Sequence, residues 1–187
     1  MPVIAVTLLP VYDADTEARV VQRVALAARS VIAASAAGTT SYVLHAASYQ
    51  RDGRVFGAGG ASHPDASALV RDFLARMEDR ALDAARQLLA PGFVMHFPGG
   101  AAMTRLEELL EWAPGRYQRV AKRIERMEES WGDGVTTVYC AGTLHGAWLD
   151  GSSFEGVRFI DRFEVADGLI RRQDVWNDLA EARARAG

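Results

Sequence analysis

Cysteine is almost missing from this 187-residue chain. Cys140 stands alone, so no intrachain disulfide can form, and no Cys/His companions at zinc-ligand spacing accompany it. A buried, inert thiol is the expectation. Long apolar runs are also absent. None approaches the roughly 20 residues that cross a bilayer, so no membrane partner is expected. Charge of one sign does not dominate either. With 21 Lys+Arg against 24 Asp+Glu, interspersed throughout, the formal charge is −3. No basic face, RNP-type motif or zinc-finger spacing points to nucleic acid. Phosphate loops, the dinucleotide fingerprint and HExxH-type metal spacing are missing too, so the expected chemistry uses no cofactor and no metal. No basic segment leads into an apolar leader and cleavage site, and the expected location is cytoplasmic.

What is present divides into two rhythms. "VIAVTLL" is an apolar, β-branched run of strand length. The acidic "YDADTE" follows as a helix start, and Val20, Val24, Ala27 and Val31 recur on one helical face. Gly38 is a natural stop, "TTSYVLHAASY" reads as a second strand and "RDG" as a turn. Residues 1–60 thus form a β-α-β unit, residues 61–66 a linker, and residues 67–187 a second domain. A β-α-β unit of that size has too little core to stand alone, so oligomerisation or packing on the rest of the chain is expected.

The second domain opens with helices. Leu69, Phe73 and Met77 share one face, and Leu82, Ala85 and Leu89 share another, with Gly92 as the stop. "FVMHF" is a short strand, and "TRLEELLEWA" a helix capped by its threonine. Strand-like segments follow at about 118–131, 135–149, 154–165 and 169–177, separated by "GDG", "DGSS" and "ADG". The first of these also suits a helix, because Val120, Ile124, Met127 and Trp131 have helical spacing. Helices first and a long antiparallel sheet afterwards predict an α+β domain with helices over one face of a curved sheet.

Alternation along the strands selects candidates. In "VRFIDRFEV", Asp161 shares a face with Val157, Phe159, Phe163 and Val165. A carboxylate there is costly unless paired or protonated, which makes it either catalytic or structurally satisfied. His96 in "VMHFP" is a potential base, acid or orienting donor, or a hydrogen-bonded core histidine. Tyr139 and His145 share one face of "YCAGTLHGAW" and reach a pocket only if that face is the concave one. In "RRQDVWND", Ile170, Arg172, Asp174 and Trp176 are expected on one side, with Asp174 as a base or as the partner of Arg172. Asp178 suits a helix cap.

Two resemblances sharpen these readings. Pro2, a strand, one amphipathic helix, a second strand and "FGAGG" (56–60) resemble the 4-oxalocrotonate tautomerase family over residues 2–60. In that family a free N-terminal proline is the proton-transferring base. The resemblance therefore implies that Met1 is removed and that Pro2 is catalytic, or else that the unit serves assembly. The places where acid-specific members carry arginine fall near Tyr12 and near Tyr42, Val43 or His45, which implies a substrate other than a dicarboxylate.

Residues 67–180 resemble the NTF2-like, cone-shaped α+β proteins in their SnoaL-like branch, on "FLARMEDRALDAARQLLAPGFVMHFPG" and "GVRFIDRFEVADGLIRRQDVWND". That resemblance implies a pocket between helices and concave sheet, holding a small molecule. Asp161 matches the carboxylic acid that ketosteroid isomerases keep protonated against an oxyanion, a device long known in that enzyme. The isomerase's base and tyrosine fall near Phe97 and Phe73, where polar groups are missing, so both phenylalanines are expected to contact substrate. Asp174 matches the acidic base of SnoaL-type cyclases. The resulting expectation is a cofactor-independent isomerase, tautomerase or cyclase moving protons on a small carbonyl compound. Pro2, Asp161, Asp174 and His96 are its catalytic candidates. Tyr139, His145, Arg172, Trp176, Phe73 and Phe97 are its substrate contacts. A non-catalytic binding or oligomerisation protein, and a hydrolase with an Asp-activated water, are the alternatives. A homodimer or larger homo-oligomer is expected.

Overall fold

The computed structural model describes residues 1–9, 12–46, 48–56, 63–100 and 102–186. The chain divides into two compact units, Met1–Ser62 and His63–Gly187. In the first, β1 (Val3–Leu8) and β2 (Thr40–His45) pair in parallel, joined by α1 (Ala14–Val31). Asp13 caps α1 by accepting a hydrogen bond from the Thr16 amide at 2.7 Å. A hairpin, β3 (Tyr49–Arg51) and β4 (Arg54–Phe56), follows. It turns at Asp52 and Gly53, both with positive φ, where "RDG" predicts a turn. Along β1 and β2 half-buried and exposed residues alternate. Thr16, with 8% of its surface exposed, is the one buried residue described in this unit, so its core is thin. Four residues of the "FGAGG" tail, 57–60, and the first two of the expected linker lie outside the described residues.

The second unit is α+β. Its sheet runs in the order β5 (Leu89–His96), β9 (Leu169–Asn177), β8 (Ser153–Ala166), β7 (Val135–Ala147), β6 (Arg119–Gly132). Only β5–β9 is parallel; the other three pairs are antiparallel. The helices are α2 (Ala66–Glu78), α3 (Leu82–Arg86), α4 (Leu106–Trp112) and α5 (Leu179–Ala186). The core lies between helices and sheet. Phe73 of α2 packs edge-on against Phe93 and Phe163, with centroids 6.3 and 6.0 Å away. Val70, Met95, Leu106 and Val138 fill in around them. Each such side chain contributes about 1.5–3 kcal/mol by leaving water.

The backbones of β6 and β7 approach closely at Gly142. A β-carbon on Gly142 would stand 2.0 Å from the Arg123 carbonyl oxygen, so only glycine fits beside the bulge between Ile124 and Arg126.

Of the two readings left open for 118–131 the strand holds, because residues 119–132 pair with β7 and that pairing outweighs their helical spacing. Two local expectations are corrected. The second helix ends at Arg86, and Leu89 and Gly92 belong to β5; Gly92 takes a positive φ at an irregularity in the β5–β9 register. Thr104 does not cap α4: Arg105 holds that position without a side-chain cap bond, and the Thr104 hydroxyl donates to Glu108.

Candidate functional site

Between the inner sheet face, α4 and α5 lies a cavity of about 420 Å³. Its wall is aromatic, from Phe97, Trp112, Tyr117, Trp148 and Phe159, with Val120, Leu144, Val175 and Leu179 between them. Phe97 and Trp112 meet at 5.5 Å. Burial raises the Tyr117 phenol above its ordinary range. Arg116 lies over the Trp112 ring at 3.9 Å, and Arg183 is engaged by Asp150 at 2.8 Å. Glu181, in the first turn of α5, is the carboxylate on this wall.

One charged group enters from the sheet. Lys122 of β6 lines the cavity, 4.7 Å from the Phe159 ring centre, and donates to Asp161 Oδ2. Asp161 has no solvent exposure and is not itself part of the wall. Gln173 Nε2 also donates to Oδ2, at 3.1 Å, while Oδ1 is buried with no hydrogen-bond partner among the described residues. Cys140 is Asp161's register partner on β7. Burial pushes its thiol up to about 11, and the Asp161 charge adds to the rise. The pair thus presents an ammonium to an apolar chamber and keeps its counter-ion behind the wall. An ammonium so held can donate to a developing oxyanion.

The other expected residues lie elsewhere, and the single cavity holding all of them is corrected. Asp174, Arg172 and Trp176 project from the opposite, outer face of the sheet. Val175 and Asn177 line the cavity, and strand residues alternate. Ile170, expected beside them, is fully buried, because an irregularity between Glu164 and Val165 shifts the β8–β9 register and reverses the alternation. His96 pairs with Asp174 across β5–β9, and its Nδ1 lies 3.1 Å from Asp174 Oδ1. Arg172 Nε donates to the same carboxylate at 2.8 Å and Arg162 at 3.2 Å. Burial pushes the Asp174 carboxyl up, but Arg172, Arg162 and His96 outweigh it and hold it below the usual carboxylate range. Tyr139 is opposite Arg162 on this face, and His145 follows it by strand alternation. Phe73 is core, packed on Phe163 rather than lining the cavity. Pro2 stands ahead of β1, and its carbonyl accepts from the Thr40 amide at 3.1 Å. With Met1 attached, its nitrogen is an amide.

Sequence reasoning missed Lys122. A signal was available: it is the only lysine among 21 Lys+Arg residues. Arginine serves every other cationic position, and arginine cannot give up its proton as an amine can.

Residues 70–173 match the SnoaL-like domain family. The chain belongs to the SnoaL-like family. Solved structures share the fold of this SnoaL-like chain at low identity. An NTF2-like protein of unknown function from Burkholderia pseudomallei K96243 superposes with a TM-score of 0.55 at 17% identity, covering 63% of this chain and 94% of that one. TerC, co-crystallised with polyporic acid, gives 0.52 at 15%, covering 63% and 95%. An NTF2-like protein from Burkholderia thailandensis E264 gives 0.51 at 20%, covering 64% and 95%. No curated protein matches the chain. The SnoaL-like fold therefore stands, and its chemistry must be argued from the cavity. Among the described residues no group of three or more His, Cys, Asp or Glu could hold a metal ion. No described helix is long and apolar enough to cross a membrane.

Proposed function

We propose that the second unit is a cofactor-independent enzyme that moves a proton on a small carbonyl compound bound in the aromatic cavity, in the manner of an isomerase or cyclase. One observation carries this reading: the chain's only lysine reaches the cavity wall with a fully buried carboxylate behind it. The substrate's carbonyl oxygen lies against the Lys122 ammonium. Asp161 fixes the ammonium and balances its charge. As a C–H bond next to the carbonyl breaks, Glu181 accepts the proton and the electron pair moves onto oxygen, where Lys122 stabilises it. Reprotonation at another carbon, or attack of the enolate within the molecule, completes isomerisation or cyclisation. The apolar wall keeps water away and strengthens the ammonium–oxyanion attraction.

The test is deuterium exchange at the α-carbons of 2-tetralone in D2O, followed by NMR. The protein should accelerate exchange over buffer. Glu181→Gln should slow it by about 10²–10⁴-fold, the range for a positioned base. Exchange no faster than in buffer overturns the reading.

A second reading concerns the first unit. Its parallel β1-α1-β2 order, with Pro2 directly ahead of β1, supports a tautomerase-like unit in which loss of Met1 frees Pro2 as a base. Intact-mass measurement of the cell-derived protein tests it, and a chain retaining Met1 removes Pro2 from consideration.

A further inference from the structure

Beyond polarising a carbonyl, Lys122 is placed to react with one. We propose that it captures aldehydes and ketones in the cavity as a protonated imine. This rests on the proposed function only in requiring that a carbonyl compound reach Lys122.

Three features support it. Lys122 is the only lysine of a chain that uses arginine at its other basic positions, and arginine forms no such imine. Its amine lies on an apolar wall, beside Phe159, Val120 and Leu144, and the Asp161 carboxylate at its side can take up the proton that must leave before the amine attacks. Its counter-ion is fully buried behind it, with Gln173 donating to the same oxygen that faces the amine and the second oxygen without a hydrogen-bond partner among the described residues. An imine formed at Nζ carries the same single positive charge in the same place. Asp161 therefore stabilises the product as it stabilises the ammonium, and capture adds no buried charge.

The step balances. The ammonium passes one proton to the Asp161 carboxylate, and the neutral amine attacks the carbonyl carbon, forming a C–N bond. A proton moves from nitrogen to the former carbonyl oxygen to give a carbinolamine. Asp161 returns its proton to that hydroxyl, which leaves as water while the nitrogen lone pair forms the C=N bond. One water is released, and the iminium–carboxylate pair remains.

A chain with one lysine makes the test clean. The full-length protein is incubated with 2-naphthaldehyde and sodium cyanoborohydride, then analysed by intact mass and peptide mapping. The expected result is a single reduced adduct at Lys122. It should form at least about 10²-fold faster than on Nα-acetyl-lysine amide in the same solution, the order expected of an amine oriented beside the bound carbonyl. Asp161→Asn should slow it, and 2-naphthol, which has the same bicyclic ring system but no aldehyde, should compete. Modification confined to the N-terminal amine, or labelling of Lys122 no faster than of the free amino acid, overturns the proposal. Proton exchange on 2-tetralone without trapping would spare the proposed function and overturn the imine alone.

Discussion

Replacing Lys122 by methionine keeps the side chain's apolar length and removes its charge. Asp161 then stays behind with zero exposure, one unpartnered oxygen and a single 3.1 Å hydrogen bond from Gln173. Breaking a buried pair in this way costs about 3–5 kcal/mol. Changing Asp161 to asparagine in the same chain removes the stranded charge and leaves an amide oxygen for Gln173. The double variant should then lose only about 1–2 kcal/mol, the worth of the hydrogen bonding surrendered. Lys122→Met alone is therefore predicted to be less stable than Lys122→Met/Asp161→Asn by about 2 kcal/mol. At about 1–3 kcal/mol per molar urea, the single variant's midpoint falls roughly 0.7–2 M below that of the double. The assay is urea unfolding followed by tryptophan fluorescence. Trp112, Trp131, Trp148 and Trp176 all lie in the second unit, so the signal reports that unit alone. A single variant as stable as the double would refute the claim that Asp161 is a desolvated charge relying on Lys122.

Three further outcomes follow from the geometry. Cys140 is fully buried and its thiol is pushed up to about 11, so at pH 7 the thiolate fraction is on the order of 10⁻⁴; native protein should resist DTNB and react fully in denaturant, and rapid native labelling would contradict the burial. The Asp174 carboxyl is depressed in the folded state, so its pairing stabilises the fold at pH above the ordinary carboxylate value of about 4 and that contribution is lost as pH falls below it. Asp174→Asn should accordingly lower the thermal midpoint at pH 7, with the gap to the parent closing in acid; a gap of constant size would disprove the assignment. Gly142→Ala forces its new methyl against the Arg123 carbonyl and should cost about 1–3 kcal/mol or more, read in the same urea experiment, with an unchanged midpoint as the refuting result.

The fold was legible wherever local pattern and tertiary pairing agree. The alternation of "VRFIDRFEV" is that of β8, and the "GDG" and "ADG" turns sit between paired strands, at Asp133–Gly134 and Asp167–Gly168 with positive φ. Legibility failed where pairing overrides pattern. Helical spacing in 120–131 leaves that segment open between strand and helix, and with it the inward direction of Lys122. A register irregularity opposite Arg171 separates Ile170 from Asp174, and no sequence rule marks its place. The contact of His96 with Asp174 spans 78 residues and depends on a parallel register between β5 and β9 that neither strand encodes locally. Strand alternation shows which residues share a face. It leaves open which face the helices cover, and that choice parts Asp161 from Asp174.

We propose that carbonyl chemistry occurs on the inner sheet face, at Lys122, and not at the His96–Asp174 cluster on the outer face. The most direct measurement compares α-proton exchange rates of 2-tetralone in the parent, Lys122→Met/Asp161→Asn, and Asp174→Asn proteins, each first shown to be folded. Exchange should fall about 10²–10³-fold in the Lys122 variant, as for loss of an oxyanion donor, and stay within about twofold of the parent in Asp174→Asn. Exchange that survives loss of Lys122, or collapses in Asp174→Asn, contradicts this proposal.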